Sequence, residues 1–239
     1  RDRSHRRRAN PLRESSMPDQ YNILFLGASY GSLFGAKAAL AGHSAHLICL
    51  PEEAELINSE GAIVRLPVRG LDGPVELNTT KMPVSVSAGA PEDANPSDYD
   101  LVVLAMQEPQ YRVSVVKDLL SRVGTSGKPC MSIMNLPPLS FLRIIPAVDP
   151  DAIRGCYTDP SVWDNVDPSR ITLCSPDPQA FRPPEEKVNV LHKCITLARF
   201  QFSGPTQDQW NMHGLFKKIG FRPQPMIIKH FTMIRCKCH

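Results

Sequence analysis

YNILFLGASYGSLFGAKAALAGHSAHLICL, residues 21–50, contains one complete structural unit. Residues 21–26 are an apolar run of the kind that fills a strand buried on both faces. Gly27 stops the run, and the small segment Ala28-Ser29-Tyr30-Gly31-Ser32 turns the chain. Residues 33–41 then read as a helix rich in small side chains, Gly42-His43 closes it, and residues 45–50 form a second strand. A right-handed crossover makes two such strands parallel, so the unit is βαβ.

The turn ahead of the helix is the place for chemistry. A helix N-terminus carries partial positive charge and N–H groups without intrahelical partners, so a diphosphate docks there when no side chain blocks it. Gly27 permits the tight turn. Gly31 and Gly35 lie on one helix face, where they let helix and sheet approach. The dinucleotide fingerprint G-x-G-x-x-G is not met: Gly27 takes its first place, but Ser29 and Ser32 stand at the second and third. In a second register one turn residue is missing and Gly31 serves as the last glycine. Gly27, Ala28, Ser29, Tyr30, Gly31 and Ser32 are the expected cofactor-binding residues of the turn. The competing reading is a plain βαβ unit whose glycines serve packing alone.

A chain of 239 residues has room for one large or two small domains. Its 42% hydrophobic content is that of a globular protein, and no apolar run reaches the length of a membrane helix. The seven cysteines are odd in number, include no C-x-x-C pair and sit partly inside apolar runs. That pattern reads as reduced thiols in a cytoplasmic protein. Charge is distributed unevenly. Residues 1–16 hold six arginines against Asp2 and Glu14, a net +4, and residues 193–239 hold eight Lys/Arg against Asp208, a net +7. The overall +3 therefore leaves residues 17–192 at −8.

Residues 1–16 are nearly devoid of apolar side chains and are expected to be a disordered basic extension, a solvated tail or a non-native leader with Met17 as a candidate start. Arg6-Arg7-Arg8 is also a candidate nuclear-localisation or nucleic-acid patch. Past the βαβ unit, residues 51–57 read as a short helix with acids in its first turn. Glu52 or Glu53 stands near the place of the acid that binds an NAD ribose, but a helix start decorated with Glu explains them equally. No arginine in that stretch welcomes a 2′-phosphate. Residues 62–68, 74–77 and 83–86 read as a small antiparallel insertion on the sheet, and residues 87–98 as a polar loop.

Residues 99–106 are the next buried strand, followed by Gln107-Glu108-Pro109 at its carboxyl end, the edge where open α/β sheets bind ligands. A helix over 110–123, a loop at 124–128 and a strand at 129–134 come next, ending in Asn135. Residues 139–145 are a short helical stretch and 171–174 a candidate strand. Residues 175–186 are irregular and proline-rich, and 188–191 extended.

The glycine turn, the Gly42-His43 turn before strand two, and the strand ending Ile133-Met134-Asn135 together resemble the N-terminal domain of the ketopantoate reductase family. The resemblance covers roughly residues 21–190. It implies an α/β, Rossmann-like, mostly parallel doubly wound sheet over residues 17–192, followed in the family by an all-helical domain. It also implies NADP or NAD as cofactor, a 2-keto acid as small-molecule substrate, and Asn135 as the catalytic-site asparagine near nicotinamide and substrate. Met106 and Gln107 are expected cofactor contacts, Gln107 through its amide.

The departures are specific. The family's lysine after the strand matching residues 101–106 is absent here, and its arginine after strand two is replaced by Leu50-Pro51. Trp210-Asn211-Met212-His213 and the later Lys217-Lys218 do not fit the spacing of its catalytic-lysine motif. Residues 193–239 are too few for such a helical domain. They read as a basic tail, a truncated or irregular C-terminal region arising from truncation, an alternative exon or a frame change near residue 192. Cys236-x-Cys238-His239 suits no standard zinc spacing, so no metal is expected.

Three functions stand at this point. One is an NAD(P)-dependent reductase of the ketopantoate reductase type, or an opine-dehydrogenase-like variant. Another is a non-catalytic NAD(P)-binding module. The third, nucleic-acid association through the basic ends, is disfavoured by the acidic middle. No membrane partner is expected, and a homodimer is the assembly held open.

Overall fold

The computed structural model describes residues 20–68, 70–146, 148–174, 180–193 and 202–203. In chain order the strands are β1 (Asn22–Leu26), β2 (Ser44–Ile48), β3 (Ile63–Pro67), β4 (Pro74–Asn78), β5 (Val86–Gly89), β6 (Leu101–Leu104), β7 (Cys130–Ser132), β8 (Ile171–Cys174), β9 (Ala180–Phe181), β10 (Val190–Lys193) and β11 (Phe202–Ser203). The helices are α1 (Ala28–Leu40), α2 (Pro51–Glu60), α3 (Ser114–Ser126), α4 (Leu139–Leu142) and α5 (Pro150–Arg154).

Six strands lie parallel in the order β5-β2-β1-β6-β7-β8, with the two-residue β11 antiparallel on β8. The chain steps outward from β1 to β2 and β5, returns to place β6 on the other edge of β1, and steps outward again to β7 and β8. This is the doubly wound order of dinucleotide-binding sheets, in which ligands bind at the carboxyl ends of the strands where the order reverses, here between β1 and β6.

β1 is central because both of its faces are apolar. Ile23 and Phe25 enter one core with Phe34, Leu47 and Ile57; Leu24 and Leu26 enter the opposite core with Val102, Leu104, Leu119 and Leu120. These four of the five β1 residues are fully buried, and Asn22 at its start is exposed. The apolar reading of residues 21–26 therefore holds on both faces.

α1 begins at Ala28, not at residue 33. Gly27 reverses the chain alone, at φ 113°, so Ala28–Ser32 are free to be helical. The small residues serve approach. A Cβ on Gly31 would lie 3.3 Å from Phe25 Cβ, and one on Gly35 would lie 3.4 Å from both Ala45 Cβ and Leu47 Cδ2. α3 likewise runs past Gly124 to a left-handed Gly127 at φ 65°. Gly124 lies inside the helix, and the position takes glycine because the Asn165 carbonyl occupies the place of a Cβ. Gly124→Ala is expected to cost about 2–3 kcal/mol, since a backbone atom cannot swing aside. A thermal melt lowered by several degrees would show it.

The expected antiparallel insertion is corrected in two respects. β3 and β4 do form an antiparallel hairpin, but in a separate sheet of order β4-β3-β10-β9, with β10 parallel to β3. The third piece is not part of it. The strand there is β5, the parallel edge of the main sheet, and it takes in residues read as loop. Ser87, Ala88 and Gly89 carry no apolar period. β5 is held by the Asn58 side chain, which donates to Ala88 O at 2.9 Å and accepts from Ala88 N at 2.8 Å. The small sheet packs on the outer side of α1, where Leu33 and Ala36 meet Val64 and Leu191. Among the described residues no helix is long and apolar enough to cross a membrane.

Candidate functional site

Gly27 ends β1 and caps α1, at φ 113° and ψ 126°. Its N–H donates to Ile48 O at 3.0 Å, and Ala105 N donates to Leu26 O at 2.9 Å. These bonds hold the carboxyl ends of β2, β1 and β6 side by side. A Cβ on Gly27 would lie 3.1 Å from both Ala105 C and Met106 N, and 2.9 Å from Met106 Cγ. The position therefore requires glycine for its backbone angle and for its neighbours.

Beyond Gly27 the N–H groups of Ala28 and Ser29 open the helix and have no intrahelical acceptor. No acid stands in the first turn of α1. The Ala28 methyl is buried and Ser29 is exposed. Tyr30 is half-buried and packs against the core that holds Phe25 and Phe34. Gly31 and Ser32 are buried within α1, and Ser32 Oγ donates back to Ala28 O. Bare backbone, helix-opening N–H groups and a first turn free of acids suit a diphosphate.

The other expected residues gather one strand over. Met106 is buried beside Gly27. Gln107 caps the short 3-10 turn Glu108–Arg112, its N–H donating to Gln110 Oε1 at 2.8 Å. Asn135 lies just past β7, and its Nδ2 donates to Gln107 Oε1 at 3.2 Å. Two amides singled out separately in the sequence thus meet at the carboxyl edge. Both are exposed. After that bond the pair retains the Asn135 acceptor oxygen and the Gln107 donors for a ligand.

Sequence reasoning missed what fastens this pair. The buried Glu108 carboxylate accepts from Thr158 N at 2.9 Å and Thr158 Oγ1 at 2.8 Å. Tyr157 Oη donates to Pro137 O at 2.6 Å. One short segment thereby grips the residues following both β6 and β7. The only local signal was an acid directly after an apolar strand. Glu108→Ala removes both hydrogen bonds from the exposed Thr158 and is expected to cost about 1–2 kcal/mol. A denaturant midpoint within error of the parent would contradict that.

Glu52 is exposed at the start of α2, whereas the Glu53 side chain is only 12% exposed and pairs with Arg182, 25% exposed. No arginine stands near Glu53 in sequence; the structure supplies one from the segment between β9 and β10. Both charges act on the Cys49 thiol at the end of β2. Burial chiefly pushes that thiol up to about 12, with Glu53 adding to the rise and Arg182 opposing it. Cys130 is likewise raised by burial to about 12. An unfolded thiol ionises near 9.0, so the folded state holds these protons longer. Their contribution to stability is whole below about pH 9 and is lost as pH rises toward 12. The melting temperature is expected to fall across that window and not before it.

Residues 1–16 with Arg6-Arg7-Arg8, Trp210 to His213, Lys217-Lys218 and Cys236-x-Cys238-His239 lie outside the described residues.

The strand order and the glycine cap at the β1–β6 reversal define a Rossmann-like α/β fold. Among solved structures, the chain matches the N-terminal domain of ketopantoate reductases. It superposes on a candidate ketopantoate reductase from Ralstonia solanacearum MolK2 with TM-score 0.61 at 16% identity, covering 86% of this chain and 60% of that one. A PanE/ApbA family ketopantoate reductase from Ralstonia eutropha JMP134 gives TM-score 0.53 at 13% identity, covering 86% and 56%. Octopine dehydrogenase with NADH and L-arginine gives 0.51 at 10%, covering 86% and 48%. Likeness at this identity is likeness of fold, and the chain spans 60% or less of each of these three proteins. No family model and no curated protein matches the sequence.

Proposed function

We propose that this chain binds a nicotinamide dinucleotide, NAD or NADP, at the β1–α1 junction and forms the cofactor-holding part of a reductase acting on a 2-keto acid. The observation that carries the reading is the glycine-capped helix N-terminus at the β1–β6 reversal, beside the Gln107–Asn135 amide pair. Gly27, Ala28 and Ser29 offer backbone to the diphosphate. Tyr30, Gly31 and Ser32 seat that first turn against the sheet, and Met106 forms the floor beside Gly27. Gln107 and Asn135 orient the nicotinamide end or the substrate carboxylate through the donors and acceptor left by their mutual bond.

The bound cofactor supplies the hydride for the keto carbon, which with one proton becomes a 2-hydroxy acid. Glu108, Thr158 and Tyr157 hold the two amides in place. The Cys49 and Cys130 thiols, protonated and partly or fully buried, favour a reducing compartment such as the cytoplasm. A non-catalytic NAD(P)-binding module is the second reading, favoured by the absence of any lysine in residues 101–116. An opine-type reaction would use the same cofactor position.

Fluorescence titration with NADH and NADPH tests the binding step. Saturable enhancement or quenching is expected below about 0.1 mM, near −5.5 kcal/mol. No change at millimolar concentration overturns both readings. Turnover of 2-dehydropantoate with either cofactor then separates the reductase from the module. Asn135→Ala is expected to weaken cofactor binding or turnover about tenfold, a loss of about 1.4 kcal/mol, with an unchanged melting temperature.

A further inference from the structure

We infer that the Glu53–Arg182 pair selects between the two nicotinamide dinucleotides, favouring the one without a 2′-phosphate. The inference rests on the dinucleotide reading above and adds to it the side of the site that faces the adenosine ribose.

The placement follows from the strands. Gly27 donates its N–H to Ile48 O at 3.0 Å, so the diphosphate position lies directly beside the end of β2. Cys49 continues that end, its N–H donating to Gly89 O at 3.2 Å. In a doubly wound sheet the adenosine half of a dinucleotide runs from the β1 turn over the end of the neighbouring strand. Its ribose then meets the start of α2, where Glu53 stands. A carboxylate there accepts hydrogen bonds from a ribose diol, whereas a guanidinium there receives a 2′-phosphate. This chain brings both groups to one point.

The pairing decides between them. Glu53 and Arg182 are in ionic contact, with side chains 12% and 25% exposed, so neither charge is well solvated and neither acts alone. The Arg182 charge is spent on Glu53 rather than offered to a phosphate. A 2′-phosphate entering here meets the Glu53 carboxylate and must pull Arg182 from it. A neutral ribose diol can donate to that carboxylate without repulsion and without displacing Arg182. Removing the carboxylate leaves the guanidinium as an uncompensated cation, and the preference should move toward the phosphorylated cofactor.

The test uses the full chain, with NADH and NADPH titrated by fluorescence into the parent, Glu53→Gln and Arg182→Gln. Circular dichroism of each variant checks that it is folded. The parent is expected to bind NADH about tenfold or more tighter than NADPH. Glu53→Gln is expected to shift that ratio at least about tenfold toward NADPH, and Arg182→Gln to shift it further toward NADH. Should the Gln variants fail to fold, adenosine 5′-monophosphate and adenosine 2′,5′-bisphosphate are titrated into the parent, which is expected to prefer the former. A parent that binds NADPH or the bisphosphate as well or better overturns the inference. So does a folded Glu53→Gln whose ratio is unmoved; both results leave cofactor binding itself intact. Failure of the parent to bind either cofactor removes this inference and the dinucleotide reading together.

Discussion

Gly27→Val is expected to lose nicotinamide-cofactor binding by about a hundredfold or more and to melt several degrees below the parent. A branched side chain at φ 113° is strained before any contact is counted, at about 1–2 kcal/mol. Its Cβ would then press on Ala105 C and Met106 N, each 3.1 Å away. Those atoms belong to the backbone leaving β6, which is tied to β1 by the Ala105–Leu26 bond of 2.9 Å. Relief requires the ends of β1 and β6 to separate. That movement displaces the helix-opening N–H groups of Ala28 and Ser29 from the Gln107–Asn135 pair. Gly42→Ala is the matched control. Gly42 also sits at positive φ, 90°, but a Cβ there meets nothing within 4 Å. It is expected to cost about 1 kcal/mol of stability and nothing in cofactor affinity. Equal binding losses in the two variants would mean that Gly27 matters only for folding.

Trp163→Ala is expected to have the largest effect on stability. The Trp163 ring is fully buried, and its centroid lies 5.0 Å from that of the equally buried Tyr111, with the planes at 54°. Truncating such a residue costs about 3–5 kcal/mol, a large part of the roughly 5–15 kcal/mol available to a folded domain. The loss reaches the site as well. Tyr111 lies in the turn that begins at Glu108, and Trp163 closes the turn Pro160–Trp163, just past Thr158. The cavity would therefore loosen both partners of the Glu108–Thr158 fastening. Urea unfolding should show the midpoint falling by a third or more, with Trp163→Phe recovering most of it. A midpoint shift within error for alanine would show that the Tyr111–Trp163 contact is dispensable.

What was legible in the sequence was local. The run at 21–26, the stop at Gly27 and the apolar strands on either side of Gln107 gave the parallel sheet, because a strand buried on both faces needs no alternation. The start of α1 was misread, since Ala28 to Ser32 are small and polar enough for a turn and equally suited to a first helical turn. Residues 87–89 of β5 read as loop from the sequence because that edge is satisfied by a side chain from α2, which no pattern within Val86–Gly89 announces. Gln107 and Asn135 were each visible at a strand end, but their contact depends on β6 and β7 being neighbours. Arg182 and Thr158 were invisible as site residues. Each reaches its partner from far along the chain, and an arginine in a proline-rich stretch or a threonine in a mixed one carries no sign of its destination.

Backbone and side-chain amide resonances followed during NADH addition test the central claim most directly. Saturable shifts should concentrate at the N–H groups of Ala28 and Ser29 and at the side-chain amides of Gln107 and Asn135, with the β3–β4 hairpin unmoved. Binding that leaves those four groups unchanged, or no saturable shift at millimolar NADH, would contradict it.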